Sequence, residues 1–325
     1  MIVVLLTIFA YTQFVERRVI ARIQVRIGPN RTGPLGLLQP VADAVKAIFK
    51  EELIPAEADR AVFVLAPALS VTVALIAFAV IPVGPPIQLF GRTITFELAD
   101  INIAVLYLLA VGSLSVYGIV LAGWSSNNKY AMLGSLRSAA QLVSYEISLG
   151  LALVGVLMLT GSLSLTQIVN YQSTHWWNIV PQFLGFVIYF VAAMAEVNRL
   201  PFDLPEAETE LVAGYYTEYS SIKMAFFFMA EYINIITVSS IATTLFLGGY
   251  LGPFNIANGV WWFALKVAIL VFVFMWVRGT FPRFRYDQLM NLGWKIMFPL
   301  ALINILIAAG EVLVSQPQAV QALLH

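Results

Sequence analysis

Apolar runs long enough to cross a bilayer recur along this chain, and the short segments between them hold most of its charge. The runs predict membrane helices at roughly 2–23, 61–83, 101–123, 138–160, 179–199, 222–247, 260–279 and 295–314, about eight in all. Pro67, Pro181 and Pro299 fall within or at the starts of runs. Membrane helices tolerate this because neighbours re-satisfy the freed backbone groups. Two connections carry more than a turn. Over 36–50, Leu37, Val41, Val45, Ile48 and Phe49 share one helical face, with Asp43, Lys46 and Lys50 elsewhere. That pattern predicts an amphipathic helix at the inner interface. Residues 163–171 predict a shorter helix outside. No internal repeat or inverted symmetry is visible, which argues against the common transporter folds.

Basic residues set the direction. Arg22, Arg26, Arg31, Lys46, Lys50 and Arg60 follow the first run, and Lys129 and Arg137 separate the third from the fourth. Arg199 and Lys223 bracket the fifth connection, and Arg278, Arg283, Arg285 and Lys295 surround the seventh. With eight spans all four groups fall on the inner side, and both termini fall outside. On the opposite side only the connection with Arg92 holds a basic residue. The apolar run 2–15 precedes Glu16-Arg17-Arg18, the reverse of a signal peptide's order. The first helix is therefore expected to continue past the arginines, with its outer end left open.

Composition supports the membrane reading and narrows the chemistry. The chain is 60% hydrophobic and 11% charged, against roughly a quarter charged in soluble domains. Its mean hydropathy is +0.85. The net charge of +0 gives no bulk attraction to nucleic acid. With no cysteine there is no disulfide and no cysteine-held iron–sulfur cluster. His175 and His325 are the only imidazoles, too few for a typical haem or zinc site. The fold class expected is an all-α integral membrane protein in one domain, with an interfacial helix and a structured acidic inner loop at 200–221.

The informative residues are charges at membrane depth, which cost several kcal/mol unless they face a wet or polar interior. Glu146 and Glu231 lie about eight or nine residues inside their runs, roughly 12 Å deep. Glu196 stands near the inner end of the fifth run, and Lys266 about 20 Å from the inner end of the seventh. The following connection adds Asp203, Glu206, Glu208, Glu210 and Glu218, interleaved with Phe202, Tyr215, Tyr216 and Tyr219. That mixture predicts a folded carboxylate cluster over the membrane. Each feature also has a structural reading. Glu146 and Glu231 could make interhelical hydrogen bonds, Glu196 could snorkel to headgroups, and Lys266 could form an ion pair. The acidic loop could be solvated surface, and Arg17, Arg18, Arg22 and Arg26 plain orientation signals. Gly28-Pro29-Asn30 and Gly33-Pro34 read as turn chemistry. The functional reading is a proton relay. Mutually repelling, partly buried carboxylates have raised, coupled pKa values, and a desolvated lysine can take the next step. No nucleophile–base pair, phosphate loop or metal ligand set appears, and Gly248-Gly249 ends a helix, unlike a nucleotide fingerprint.

Several motifs resemble one family. They are Glu16-Arg17-Arg18 with Arg26-Ile27-Gly28-Pro29-Asn30-Arg31, Leu38-Gln39-Pro40-Val41-Ala42-Asp43-Ala44-Val45-Lys46, and Gly123-Trp124-Ser125-Ser126-Asn127-Asn128-Lys129-Tyr130. Ser144-Tyr145-Glu146, Ala195-Glu196-Val197-Asn198-Arg199-Leu200-Pro201-Phe202-Asp203-Leu204 and Glu218-Tyr219 follow. Met229-Ala230-Glu231-Tyr232 and Pro282-Arg283-Phe284-Arg285-Tyr286-Asp287-Gln288-Leu289 complete the set. Together they resemble the family of quinone-chamber membrane subunits of NADH-quinone oxidoreductase, respiratory complex I. The resemblance implies a chamber where quinone, as substrate, meets an iron–sulfur cluster held by a neighbour. It implies that this chain holds no redox centre, the flavin and clusters lying in partner subunits. It places Glu16, Arg17, Arg26, Asp203 and Glu206 at the quinone chamber. It places Glu146, Glu196, Glu231, Glu208, Glu210, Glu218 and Lys266 on the proton path, with Arg278 as a further inner basic position. The partners implied are peripheral-arm iron–sulfur subunits and antiporter-like membrane subunits, in a bacterial plasma membrane. The family usually has more residues before its Glu-Arg-Arg. Two rivals stand beside this reading: the related subunit of an energy-conserving hydrogenase, and a standalone proton or cation transporter.

Overall fold

The computed structural model describes residues 2–89, 92–204 and 212–315, and most of them are helical. In chain order the helices are α1 (Ile2–Ile23), α2 (Gln39–Phe49), α3 (Arg60–Ala77), α4 (Ala104–Ser125), α5 (Lys129–Thr160) and α6 (Leu165–Thr174). Then come α7 (Phe183–Glu196), α8 (Ser221–Phe246), α9 (Val260–Thr280), α10 (Tyr286–Asn291) and α11 (Phe298–Ser315). A π-helical turn, Leu292–Met297, joins the last two into one rod. Among the described residues six helices are long and apolar enough to cross a membrane: α3, α4, α5, α8, α9 and the α10–α11 rod. The chain is an all-α multi-pass membrane protein. Two further apolar helices fall short of that measure for visible reasons. Helix α1 carries Glu16, Arg17 and Arg18, and α7 has only 14 residues, about 21 Å of rise.

Three features differ from the sequence expectation. Helix α5 starts at Lys129, not near 138, because the Asn128 side chain caps it, accepting from the Tyr130 amide at 2.9 Å. The last helix begins at Tyr286, ahead of the expected 295. A small antiparallel hairpin, β1 (Ile87–Leu89) with β2 (Arg92–Ile94), interrupts the otherwise helical chain. Its alternation of apolar and polar residues, Ile87-Gln88-Leu89 and Thr93-Ile94-Thr95-Phe96 around Gly91, is the strand signal that a search for membrane-length runs passes over.

The amphipathic stretch forms α2, and none of its residues is buried. Val41, Val45, Ile48 and Phe49 are all exposed. Its C-terminal end is tied to α8 by Ser221, whose hydroxyl donates to the Ala47 and Lys50 carbonyls at 2.9 Å.

The core is a bundle in which α3 packs on α4 and α8, α4 on α5, and α5 on α7 and α11. Small residues let these helices approach closely. A Cβ on Gly118 of α4 would stand 2.1 Å from the Ser70 hydroxyl of α3. Helices α1 and α9 also pack on α8 and on each other.

The C-terminus of α8 shows how a buried helix end is completed. In lipid its last carbonyls must find donors within the protein. Gln172 donates to Thr244 O at 2.9 Å, Asn178 to Leu245 O at 2.8 Å, and the Ile179 amide to Phe246 O at 2.9 Å. Lys266 of α9 takes Leu247 O at 2.5 Å. Gln172, Asn178 and Ile179 are thus committed to this cap, and α7 starts late, at Phe183.

Candidate functional site

Three helices and the segment after α7 bring an ion cluster together beside the middle of α8. Glu16 lies in α1, Arg199 three residues past α7, Glu231 in α8 and Arg278 in the last turn of α9. Glu16 Oε1 accepts from Arg199 Nη1 at 2.8 Å and also from Arg278 Nη1. Arg199 Nε pairs with Glu231, and its guanidinium lies 4.4 Å from the centre of the Tyr232 ring. Two carboxylates thus meet two guanidinium groups, so the buried cluster is formally neutral. Glu16 and Arg199 are 3% and 6% exposed. The cluster forms one wall of an open cleft of about 680 Å³, whose other charged lining is Arg17 and Arg26. Arg17 is held by Asp43 of α2 at 2.6 Å, which ties the amphipathic helix to the cleft mouth.

Two small cavities continue from this cluster. The first, about 50 Å³, is lined by Glu231, Asp203 and Glu196 with Ser115 and Asn234. The second, about 60 Å³, is lined by Glu196 and Glu146, again with Ser115 and Asn234. Glu231 is shared by the cleft and the first cavity, and Glu196 by the two cavities. The three spaces therefore run in series from Arg17 and Arg26 to Glu146. Each small cavity has room for a few waters, at about 10–15 Å³ each, and enough polar lining to hold them.

Neutral residues place the carboxylates. Ser113 of α4 donates to Glu146 Oε1. The neighbouring Gly112 leaves space for Glu196, since a Cβ there would lie 3.1 Å from Glu196 Oε1. Gln141 of α5 donates to the Ala195 and Phe202 carbonyls at 2.7 and 2.8 Å, closing the turn that carries Arg199 and Asp203. Gln141 is fully buried.

The residues expected from sequence divide accordingly. Glu16, Arg17, Arg26, Asp203, Glu231, Glu196 and Glu146 line the three connected spaces. Glu206, Glu208 and Glu210 lie outside the described residues. Glu218 lines none of these spaces. It accepts from the Asn128 side chain at 2.7 Å, tying the acidic segment to the N-cap of α5. Beside it, Tyr219 stacks on Phe63 with ring centres 4.0 Å apart, and burial pushes its phenol up to about 12.

Lys266 is not brought to the carboxylates. Its ammonium donates to the carbonyls of Leu247, Gly249 and Leu251 at 2.5, 3.0 and 2.6 Å, and the Trp177 ring lies 4.2 Å away. It stands at the far end of α8 from Glu231, and the ion pair considered as its structural role is replaced by carbonyl capping.

Sequence reasoning missed Gly112, Ser113, Ser115, Gln141 and Asn234. Asn234, three residues after Glu231 on α8, could have been found by helical spacing alone. Among the described residues no group of three or more His, Cys, Asp or Glu is placed to hold a metal ion.

The sequence profile described as NADH dehydrogenase matches residues 1–309. The chain is 57% identical over 311 residues to an NADH-quinone oxidoreductase subunit of Thermomicrobium roseum, covering 93% of this chain and 91% of the relative. It is 54% identical over 317 residues to NADH-quinone oxidoreductase subunit 8 of Thermus thermophilus, covering 98% and 86%. It is also 54% identical over 308 residues to an NADH-quinone oxidoreductase subunit of Protochlamydia amoebophila, covering 95% and 94%.

Proposed function

The chain belongs to the NADH dehydrogenase family of membrane subunits, and from that premise we propose that it forms the quinone chamber and the first part of the proton-coupling path of a proton-translocating NADH-quinone oxidoreductase. The relatives' names favour this over the hydrogenase reading. The observation that carries it is the serial arrangement of cleft, ion cluster and two carboxylate-lined cavities.

In this reading the cleft bounded by Glu16, Arg17 and Arg26 receives the quinone headgroup, with Asp203 and Glu206 as further quinone contacts and Glu208, Glu210 and Glu218 on the proton path. Electrons come from a cluster in a peripheral-arm partner, and this chain holds no redox centre. Reduction changes charge beside Arg199 and Glu231. A unit charge ~10 Å from a carboxylate, at an effective dielectric of ~20, is worth about 1.7 kcal/mol, or roughly one pKa unit. That is enough to move a proton along Glu231, Glu196 and Glu146 towards antiporter-like partners. Helices α1 and α7 complete eight spans, with both termini on the periplasmic side of the bacterial plasma membrane and α2 on the inner surface.

The test uses the assembled complex in proteoliposomes. Glu16→Gln removes the charge that holds both arginines and should raise the quinone KM roughly tenfold (~1.4 kcal/mol). NADH oxidation by a water-soluble acceptor, which bypasses the chamber, should stay unchanged. An unaltered quinone KM would remove the cleft from the quinone site.

A further inference from the structure

The two small cavities share Glu196, Val197, Ser115 and Asn234, so these residues form the neck between the Glu231 side and the Glu146 side. Ser115 and Asn234 are the neutral polar groups there. Among the described residues neither side chain has a hydrogen-bond partner. Asn234 faces the cavities from the middle of α8, and Ser115 faces them from α4. An amide without a partner at this depth costs several kcal/mol in hydrocarbon, so these groups are placed for water. Each cavity has room for a few waters, and a bridging water needs two to four polar partners, which the neck supplies.

We propose that Asn234 and Ser115 hold the water that joins the two cavities, making a continuous hydrogen-bonded file from Glu231 and Asp203 to Glu146. Neither residue carries the proton. Each water accepts one proton on one side and releases another on the other, so only O–H bonds exchange and no charge stays behind. Asn234 and Ser115 are positioning residues, and their role rests on the proton-path reading above.

Isosteric replacement separates water-holding from packing. In proteoliposomes, Asn234→Leu should lower coupled quinone reduction and proton pumping about tenfold, while Asn234→Ser keeps at least half of both. Ser115→Ala should cause a smaller loss, and the double variant a larger one than either alone. NADH oxidation by a water-soluble acceptor should be unchanged throughout. Where leucine lowers assembly, Asn234→Ala tests the same point without added bulk. Normal pumping in Asn234→Leu, or equal impairment in the leucine and serine variants, would overturn the proposal. Glu146→Gln, run in parallel, separates the two levels. If it pumps normally, the proton-path reading itself fails. If it is inactive while Asn234→Leu pumps normally, only the water-filled neck fails.

Discussion

Two buried cations stand beside α8, one at its middle and one at its C-terminal end, and are satisfied in opposite ways. Arg199 meets two carboxylates and an aromatic face and borders an open cleft. Lys266 meets three carbonyls and an indole and, among the described residues, no carboxylate. Leu247 is the C-cap of α8, so Lys266 sits where the helix dipole is negative and the last carbonyls lack donors. Fixed dipoles neutralise Lys266, and dipoles cannot be titrated. Titratable groups neutralise Arg199, and Glu231, one of them, also lines a cavity that leads on to Glu196. Depth in the membrane therefore does not by itself identify a coupling group. What matters is whether the counter-charge can change and whether water reaches it.

The largest effect should come from breaking the ion cluster. Arg199→Met takes from Glu16 and Glu231 a shared partner that is 6% exposed. Removing one member of a buried ionic network costs about 3–5 kcal/mol. The variant complex should melt at a markedly lower temperature and lose nearly all quinone reduction. A variant with the original melting temperature and turnover would show that the cluster does not organise the chamber.

Lys266→Met should destabilise on a comparable scale but leave coupling alone. It strips donors from three carbonyls, at about 1–3 kcal/mol for each buried group left unsatisfied. Melting temperature should fall, while protons pumped per quinone reduced stay constant in the complexes that assemble. A lowered ratio in assembled complex would return Lys266 to the proton path.

The contrast between these cations also marks where sequence reading stops. The apolar runs give the helices because a bilayer forces every backbone group into internal bonds, and that demand is written in composition. Glu146, Glu196 and Glu231 were legible because charge at depth is rare, Asp203 as part of an acidic connection, and Glu16 through the motifs that carry the family resemblance. Lys266 carried the same signal but a different role. Its partners are backbone carbonyls, which have no letter in the sequence. Arg199 read as an orientation signal and a motif residue, and only the fold shows it joining α1 to α8. Gly112 and Ser113 sit inside an apolar run where small residues usually mean close packing, so their service to the carboxylates was hidden. The acidic segment's contribution at Glu206, Glu208 and Glu210 remains a sequence inference.

Gly112 sharpens the comparison on the carboxylate side with a single carbon. A Cβ there would meet Glu196 Oε1 at 3.1 Å, so the carboxylate must shift by a few tenths of an ångström. Alanine is the better helix former by about 1 kcal/mol, so stability should hold or rise. Pumping should fall roughly two- to threefold, on the order of 0.5 kcal/mol in the coupled step. Gly150→Ala is the control, since a Cβ at Gly150 has nothing within 4 Å. Equal pumping in the two variants would mean that Glu196 tolerates displacement and that its position is not critical.

The smallest expected effect concerns Glu97, an acid that lines none of the three connected spaces. Glu97 accepts from the Thr166 hydroxyl at 3.0 Å and lies at the edge of an apolar groove lined by α1 and α9. Partial burial raises its carboxyl above the usual 4.5, Thr166 pulls it back, and the nearby Asp100 charge pushes it up again. A carboxyl raised in the folded state binds a proton more readily there than in the unfolded chain. Its contribution to stability is therefore fully present below pH 4.5 and is lost as the pH rises through the folded value. Glu97→Gln keeps the acceptor for Thr166 and removes the charge. It should raise the melting temperature of the extracted complex slightly at neutral pH, and the difference should vanish in acid. Solvent screening keeps the gain within the ~0.5 kcal/mol typical of surface substitutions. A lowered melting temperature for Glu97→Gln at neutral pH would reverse the sign assigned here and make Glu97 a stabilising charge.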